Sequence, residues 1–455
     1  MTRRSTIMDS NSFRPADRDQ LAQQTRELTD RRAQLLAGSY RLFYREPVHL
    51  VRGQGQYLYD ADGRQYLDLY NNVASLGHCH PAVVQAVTEQ MQQLNTHTRY
   101  LHERILDYTD DLLSTFPAEK DWRAVYMCTG SEANDLALRV AQAHTSGEGV
   151  IATAEAYHGT SALTSAVSPA LGSGQPIAPT VRLVPAPDTY RTGIADIGTW
   201  FANQVQSAID DLRAHNVRLS ALILDPLFSS DGVLPGTPGF LAPVVDVVRR
   251  NGGLIIADEV QPGFGRTGER FWGFARHGFV PDLVTLGKPM GNGMPVSGLV
   301  GQADVMASFS DRLPYFNTFG GNPVSMAAAQ AVLDTIRADN LQEHSLHVGE
   351  LTRQALRDVA ARHEVLGDVR GVGLYTGVEL IEDADGRVPD AGLALDVVEN
   401  LRRQGVLTST AGPDGNVLKL RPPLAFSSGN VDWLAGALDA SVHEAVTNRR
   451  ARAGS

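Results

Sequence analysis

In G-L-I-I-A-D-E-V-Q-P-G-F-G-R-T-G (253–268), two carboxylates, Asp258 and Glu259, stand at the carboxyl end of an apolar run. Open α/β sheets gather their ligands at that end of a strand, so the pair suits a general acid and base, a metal site, or a capping Asp before a glycine loop. Thirty residues after Asp258, D-L-V-T-L-G-K-P-M-G-N-G-M-P (282–295) places Lys288 among glycines, with Pro289 keeping it out of regular helix. A solvated loop lysine is the commoner fate of such a residue; a partly desolvated one loses its proton and forms a Schiff base with a carbonyl compound. In C-T-G-S-E-A-N-D-L-A-L-R (128–139) a helix opens directly after a strand, with Ser131 as the expected N-cap and free amides near Gly130 that can cradle a phosphate. An aldehyde needs a lysine, a pyridine nitrogen needs a carboxylate to stay protonated, and a phosphate needs amides. The three stretches together are the equipment for pyridoxal phosphate.

A fourth stretch, N-V-L-K-L-R-P-P-L-A-F (416–426), has the pattern of a short buried strand stopped by two prolines. Lys419 and Arg421 sit at i and i+2 and point to one face of it. Two adjacent cations there either pair with Asp or Glu at a domain boundary or await an anionic ligand.

The elements that position these residues follow from periodicity. From Arg123 onward, short apolar runs alternate with helical stretches: A-V-Y-M-C, G-V-I-A-T, V-R-L-V, L-S-A-L-I-L, G-L-I-I-A and D-L-V-T-L. Strands apolar on both faces and separated by helices predict an α/β fold with a mostly parallel sheet flanked by helices. Ahead of it, residues 17–36 read as a polar-faced helix, Y-L-Y-D-A-D-G-R-Q-Y-L-D-L as a hairpin turning at Asp-Gly, and 81–95 as a helix with Pro at its first turn. The expected division is a large domain over 76–335 and a smaller α+β domain built from both termini, 1–75 and 336–455.

The 455 residues exceed one compact core, and 43% apolar with 20% charged residues is ordinary for a folded soluble protein. A net charge of −11 argues against a nucleic-acid surface, and no apolar run reaches membrane-spanning length. Arg3-Arg4 lacks the apolar stretch of an export signal after it, and reads as a loose tail of a cytoplasmic protein. Cys79 and Cys128 are the only cysteines, too few for a disulfide framework, which fits a reducing compartment. His78 and His80 flank Cys79, but without a further ligand pair they read as structural loop histidines, and no metal is expected.

The motifs G-H-C-H-P (77–81), T-G-S-E-A-N-D (129–135), A-Y-H-G (156–159), A-D-E-V-Q-P-G-F-G-R-T-G (257–268), L-G-K-P (286–289) and N-T-F-G-G-N-P (317–323) occur in one order. On them the chain, from Phe43 to Phe426, resembles the class III aminotransferases among the fold type I pyridoxal-phosphate enzymes. That resemblance implies that Lys288 holds the cofactor and moves protons, and that Asp258 pairs with the pyridine nitrogen. Gly130 and Ser131 are implied at the cofactor phosphate, Tyr157 stacked on the ring with His158 in support, Val260 on the opposite face, and Gln261 at the ring oxygen. Thr318 is implied to reach the cofactor phosphate of a neighbouring subunit, hence a homodimer with shared active sites, with a tetramer left open.

Three departures narrow the resemblance. Where family aminotransferases read R-I-A-P-P, with an arginine on the substrate carboxylate, this chain has Lys419 in the arginine's place and Arg421 in that of a small residue. Arg matches a planar carboxylate bidentately, whereas Lys is a compact charge that also suits a phosphate. Asp225-Pro226 replaces the common Glu-Pro, and Asn71-Asn72 stand where small residues are usual. With Q-L-N-T-H-T-R-Y-L-H (93–102) and P-D-T-Y-R (187–191), these features are similar to the branch holding ethanolamine-phosphate phospho-lyase and mitochondrial alanine–glyoxylate aminotransferase, and the Lys-x-basic-Pro-Pro form to the phospho-lyase. The implied reaction is elimination of phosphate from O-phosphoethanolamine to acetaldehyde and ammonia, with Lys419 at the substrate phosphate, joined by Arg421, Tyr44, Arg45 or Asn72. The alternative is a class III aminotransferase acting on an ω-amine or amino acid and a keto acid. A racemase on the same scaffold and a non-catalytic pyridoxal-binding protein stand further off.

Overall fold

A computed structural model describes residues 9, 11–383 and 385–453 of the chain. Arg3-Arg4 lie outside the described residues.

Seven strands form the central sheet, in the order Trp122–Met127, Ser297–Gln302, Leu283–Leu286, Leu254–Asp258, Leu219–Leu224, Gly149–Thr153, Val181–Val184. Six run in one direction, and Ser297–Gln302 alone is reversed, pairing antiparallel with both of its neighbours. All six runs read as strands are strands. The seventh, S-G-L-V-G-Q, was not anticipated, because two glycines thin its apolar signal. Residues of Leu219–Leu224 and Leu254–Asp258 are buried throughout, which is why they read as continuous apolar runs and not as alternating ones.

The N-terminal meander Leu50–Gln54, Tyr57–Asp60, Gln65–Asp68 is closed by Val406–Leu407 from the far end of the chain, which pairs parallel to Gln65–Asp68. The Asp-Gly hairpin is present, with Gly63 at φ 81 where a side chain would be strained. A second four-stranded sheet orders Leu366–Val372, Tyr375–Leu380, Val417–Leu420, Ser409–Ala411. The helix expected over 17–36 is instead a 3-10 turn, Pro15–Gln20, and a helix, Gln23–Leu35. The chain turns at the break to bury Leu21.

Candidate active site

Asp258 ends its strand beside Thr285 of the neighbouring parallel strand, and Lys288 follows that strand by two residues. The sheet register therefore puts the carboxylate and the amine at one edge. Asp258 is held from three sides. His158 Nδ1 donates to Oδ2 at 2.7 Å, Asn134 Nδ2 to the same oxygen at 2.9 Å, and the Val260 amide to Oδ1 at 3.1 Å. Burial alone pushes its pKa up; the His158 hydrogen bond, with His158, Lys288 and Asn134, outweighs burial and holds it below the usual carboxylate range. Asn134 is fixed in turn, because its oxygen accepts from Thr285 Oγ1 at 2.7 Å and its amide also donates to the His158 carbonyl.

Lys288 opens a 3-10 turn, Lys288–Gly291, with Pro289 at its first position. Burial moves its pKa down, against the pull of Asp258, which favours the free amine more than in an exposed lysine. Glu259, adjacent to Asp258 in sequence, points elsewhere. Its two oxygens accept the Gly273 and Phe274 amides at 2.8 and 2.7 Å, a structural role.

The helix expected to be capped by Ser131 is capped two residues earlier. Thr129 is the N-cap of Gly130–Thr145, in a reciprocal capping box with Glu132. The T-x-x-E spacing carried this signal; Ser131, inside the first turn, is free of capping and accepts the Thr160 amide at 3.1 Å.

These groups line a cavity of about 190 Å³. A Cβ on Gly159 would stand 2.5 Å from Ser131 Oγ, and one on Gly130 3.0 Å from Val260 Cγ1, so glycines alone keep this corner open. Tyr157 and Val260 are part of its lining. A second cavity of about 210 Å³ adjoins it, with Tyr157, Gln261 and Lys288 common to both. Its wall includes Lys419 and Arg421.

Lys419 lies on the interior strand Val417–Leu420, opposite Gly377 on one side and Ser409 on the other. It is buried; its carbonyl accepts from Thr408 Oγ1 at 3.1 Å, while its ammonium makes no ion pair or hydrogen bond among the described residues and stands 5.8 Å from the Tyr375 ring centroid. Burial, reinforced by Arg421, moves its pKa well down, and Asp225 opposes this. Burial moves the Asp225 pKa up. Arg421 lies over the Tyr70 ring at 4.3 Å, and its backbone amide donates to the Leu69 carbonyl at 2.9 Å. Its Nε is buried without a partner. Pairing of these cations with Asp or Glu at a domain boundary is therefore not what the structure has.

Tyr44, Arg45 and Asn72 are not brought to either cavity lining. The Tyr44 hydroxyl donates to the Thr408 carbonyl at 3.0 Å, and Arg45 pairs with Asp396 on the surface. Asn72 is buried with its amide nitrogen unpartnered. Thr318 is exposed and is not part of the lining of either of these two cavities. His78 donates to Asp68 at 2.7 Å, as a loop-bracing histidine. Sequence reasoning missed Tyr70 and Ser230 in the second cavity, which no motif marks, and Asn134, which stood inside a quoted motif without a role.

The family model for class III aminotransferases matches residues 43–442. The chain belongs to the class III aminotransferase family. An ethanolamine-phosphate phospho-lyase homolog of Caenorhabditis elegans is 37% identical over 434 residues, covering 91% of this chain and 92% of its own. An alanine–glyoxylate aminotransferase 2-like protein of Drosophila melanogaster is 39% identical over 414 residues, covering 88% and 84%. Among solved structures, an Arthrobacter phospholyase in complex with phosphoethanolamine superimposes with a TM-score of 0.88 at 40% identity, covering 91% of this chain and 99% of that one. The fold is that of the fold type I pyridoxal-phosphate transaminases, and the cofactor is pyridoxal 5′-phosphate. The first cavity suits it, with a buried amine, a carboxylate held anionic, and a glycine-lined corner at a helix start. No helix among the described residues is long and apolar enough to cross a membrane.

Proposed function

We propose that this class III enzyme is a carbon–oxygen lyase that eliminates phosphate from O-phosphoethanolamine, giving acetaldehyde, ammonia and inorganic phosphate. The observation that carries the reading is the pair of buried cations, Lys419 and Arg421, in no ion pair with a carboxylate among the described residues and lining the cavity that shares Lys288. A phosphorylated amine matches both ends of this cavity: its amine belongs at Lys288 and its phosphate at the cations.

What the site requires is only a ligand carrying an amine at one end and a phosphate at the other. A dianionic phosphate supplies the counter-charge that Lys419 lacks, so binding draws that side chain back to its charged form.

Pyridoxal phosphate supplies the electron sink when bound. Lys288 is the residue placed to hold it and, once freed by substrate, to take the proton from the carbon bearing nitrogen. Asp258, kept anionic by His158 and Asn134, is placed to hold the pyridine nitrogen protonated. Gly130 and Ser131 are assigned to the cofactor phosphate, Tyr157 and Val260 to the two faces of its ring, and Gln261 to its ring oxygen. As the Cα proton leaves, the bond from Cβ to the phosphate oxygen breaks and the phosphate departs with the electron pair. Lys419 and Arg421 stabilise that departing charge. Water then converts the enamine product to acetaldehyde and ammonia.

The second reading is a transaminase, favoured by the aminotransferase name of the Drosophila relative. Incubation with O-phosphoethanolamine and no keto acid separates the two. Inorganic phosphate and acetaldehyde released together, and lost in Lys288→Ala, support the lyase. No release, with alanine formed once pyruvate and an amine are supplied, assigns the chain to the transaminases. We also assign it to a homodimer in the cytoplasm. The exposed apolar residues Tyr100, Leu101, Phe316 and Phe319, beside Thr318, support the dimer, and the two free cysteines fit the compartment.

A further inference from the structure

Tyr375 opens the strand Tyr375–Leu380 and is wholly buried. Its hydroxyl donates to Gln261 Oε1 at 3.1 Å. Gln261 lines both cavities, and its amide nitrogen has no hydrogen-bond partner among the described residues. A free carboxamide presents either its oxygen or its nitrogen to a ligand, because the two ends have nearly the same shape and opposite hydrogen-bonding sense. With the Tyr375 hydroxyl donating to the oxygen, the nitrogen is the end left facing the cavities. Burial pushes the phenol pKa well up, with Arg421 and Arg266 opposing and Asp225 adding to it, so the hydroxyl keeps its proton. The Lys419 ammonium stands 5.8 Å from the ring centroid of the same tyrosine, while Gln261 is met by its hydroxyl, so the two contacts use different parts of one side chain.

We propose that Tyr375 is a positioning residue that orients the Gln261 carboxamide so that its nitrogen, and not its oxygen, faces the ring oxygen of the cofactor. A nitrogen there donates to an anionic oxygen and stabilises it; a carboxamide oxygen there repels it. The inference rests on the cofactor site and not on the choice between lyase and transaminase.

The test is the pH titration of visible absorbance in the cofactor-loaded enzyme, without substrate, so its outcome is independent of the lyase assay. Tyr375→Phe keeps the ring beside Lys419 and removes the hydroxyl alone. Loss of the oriented donor destabilises the anionic ring oxygen, so the titration midpoint moves up, by about one pH unit for one charge-assisted hydrogen bond. In a Gln261→Ala background, Tyr375→Phe adds no further shift. An unchanged midpoint in the single variant, or an equal shift in both backgrounds, overturns the inference.

Discussion

Lys419 shows how one residue type changes what a shared scaffold can bind. A lysine among buried groups, with no carboxylate pairing it, is held below its usual pKa until an anion arrives. Lys419→Gln keeps a flexible hydrogen-bonding side chain, one atom shorter, and removes the charge. It should lower kcat/KM for O-phosphoethanolamine by about 100-fold, the equivalent of about 3 kcal/mol for a charge-assisted contact. The visible spectrum of the loaded enzyme should stay as in the wild type. Steady-state phosphate release and an absorbance spectrum check both halves, and an unchanged kcat/KM removes Lys419 from the substrate site.

At the scale of elements, the adjacent pair Asp258-Glu259 divides its work because a strand ends between them. Asp258 finishes the strand facing the cavity, while Glu259 ties the 3-10 turn Gly273–His277 to the sheet through two amides. Burial pushes the Glu259 pKa up to about 8 against those amides. Glu259→Ala leaves two buried N–H groups without acceptors, at about 1–3 kcal/mol each. The expected result is a lower denaturant midpoint for the loaded enzyme; a midpoint equal to wild type would show that water replaces the carboxylate.

Over the whole molecule, stability and assembly each have a testable handle. His277 is buried against Phe240 with Nδ1 unpartnered, and burial moves its pKa from 6.5 down to about 4. The unfolded chain therefore binds the proton first as pH falls, and the stability from neutral His277 is lost progressively from pH 6.5 toward 4. By pH 5 that loss is about 2 kcal/mol. Asp231, raised to about 7 by burial, and Glu259 run in the opposite sense across the same range. The measurement is therefore a difference: the stability gap between wild type and His277→Gln should shrink by about 2 kcal/mol from pH 7 to pH 5. A constant gap from denaturant melts at the two pH values would rule this out. For assembly, Thr318→Ala should weaken cofactor binding about tenfold if it completes a partner's site, although it lies outside its own chain's cavity. Equilibrium titration with pyridoxal phosphate reads this directly, and unaltered affinity argues against shared sites.

The sequence by itself determined the chemistry of the first cavity and the sheet that builds it. Asp258, Lys288 and Gly130 each follow an apolar run, and both-face burial makes such runs visible without a fold. It also marked Lys419 and Arg421 as cations on one buried strand. The antiparallel strand Ser297–Gln302 stayed hidden because its glycines carry little apolar signal. Only the tertiary structure decided what surrounds the two cations. Tyr70 meets Arg421 because the Arg421 amide is bonded to the Leu69 carbonyl, a contact between distant parts of the chain that no local pattern encodes. The same holds for Tyr44 and Arg45, whose types suit a phosphate but whose polar groups are engaged by Thr408 and Asp396. Local periodicity reports which faces are buried; which side chains then meet across a cavity depends on long-range pairing, and that is set by the packing of the whole chain.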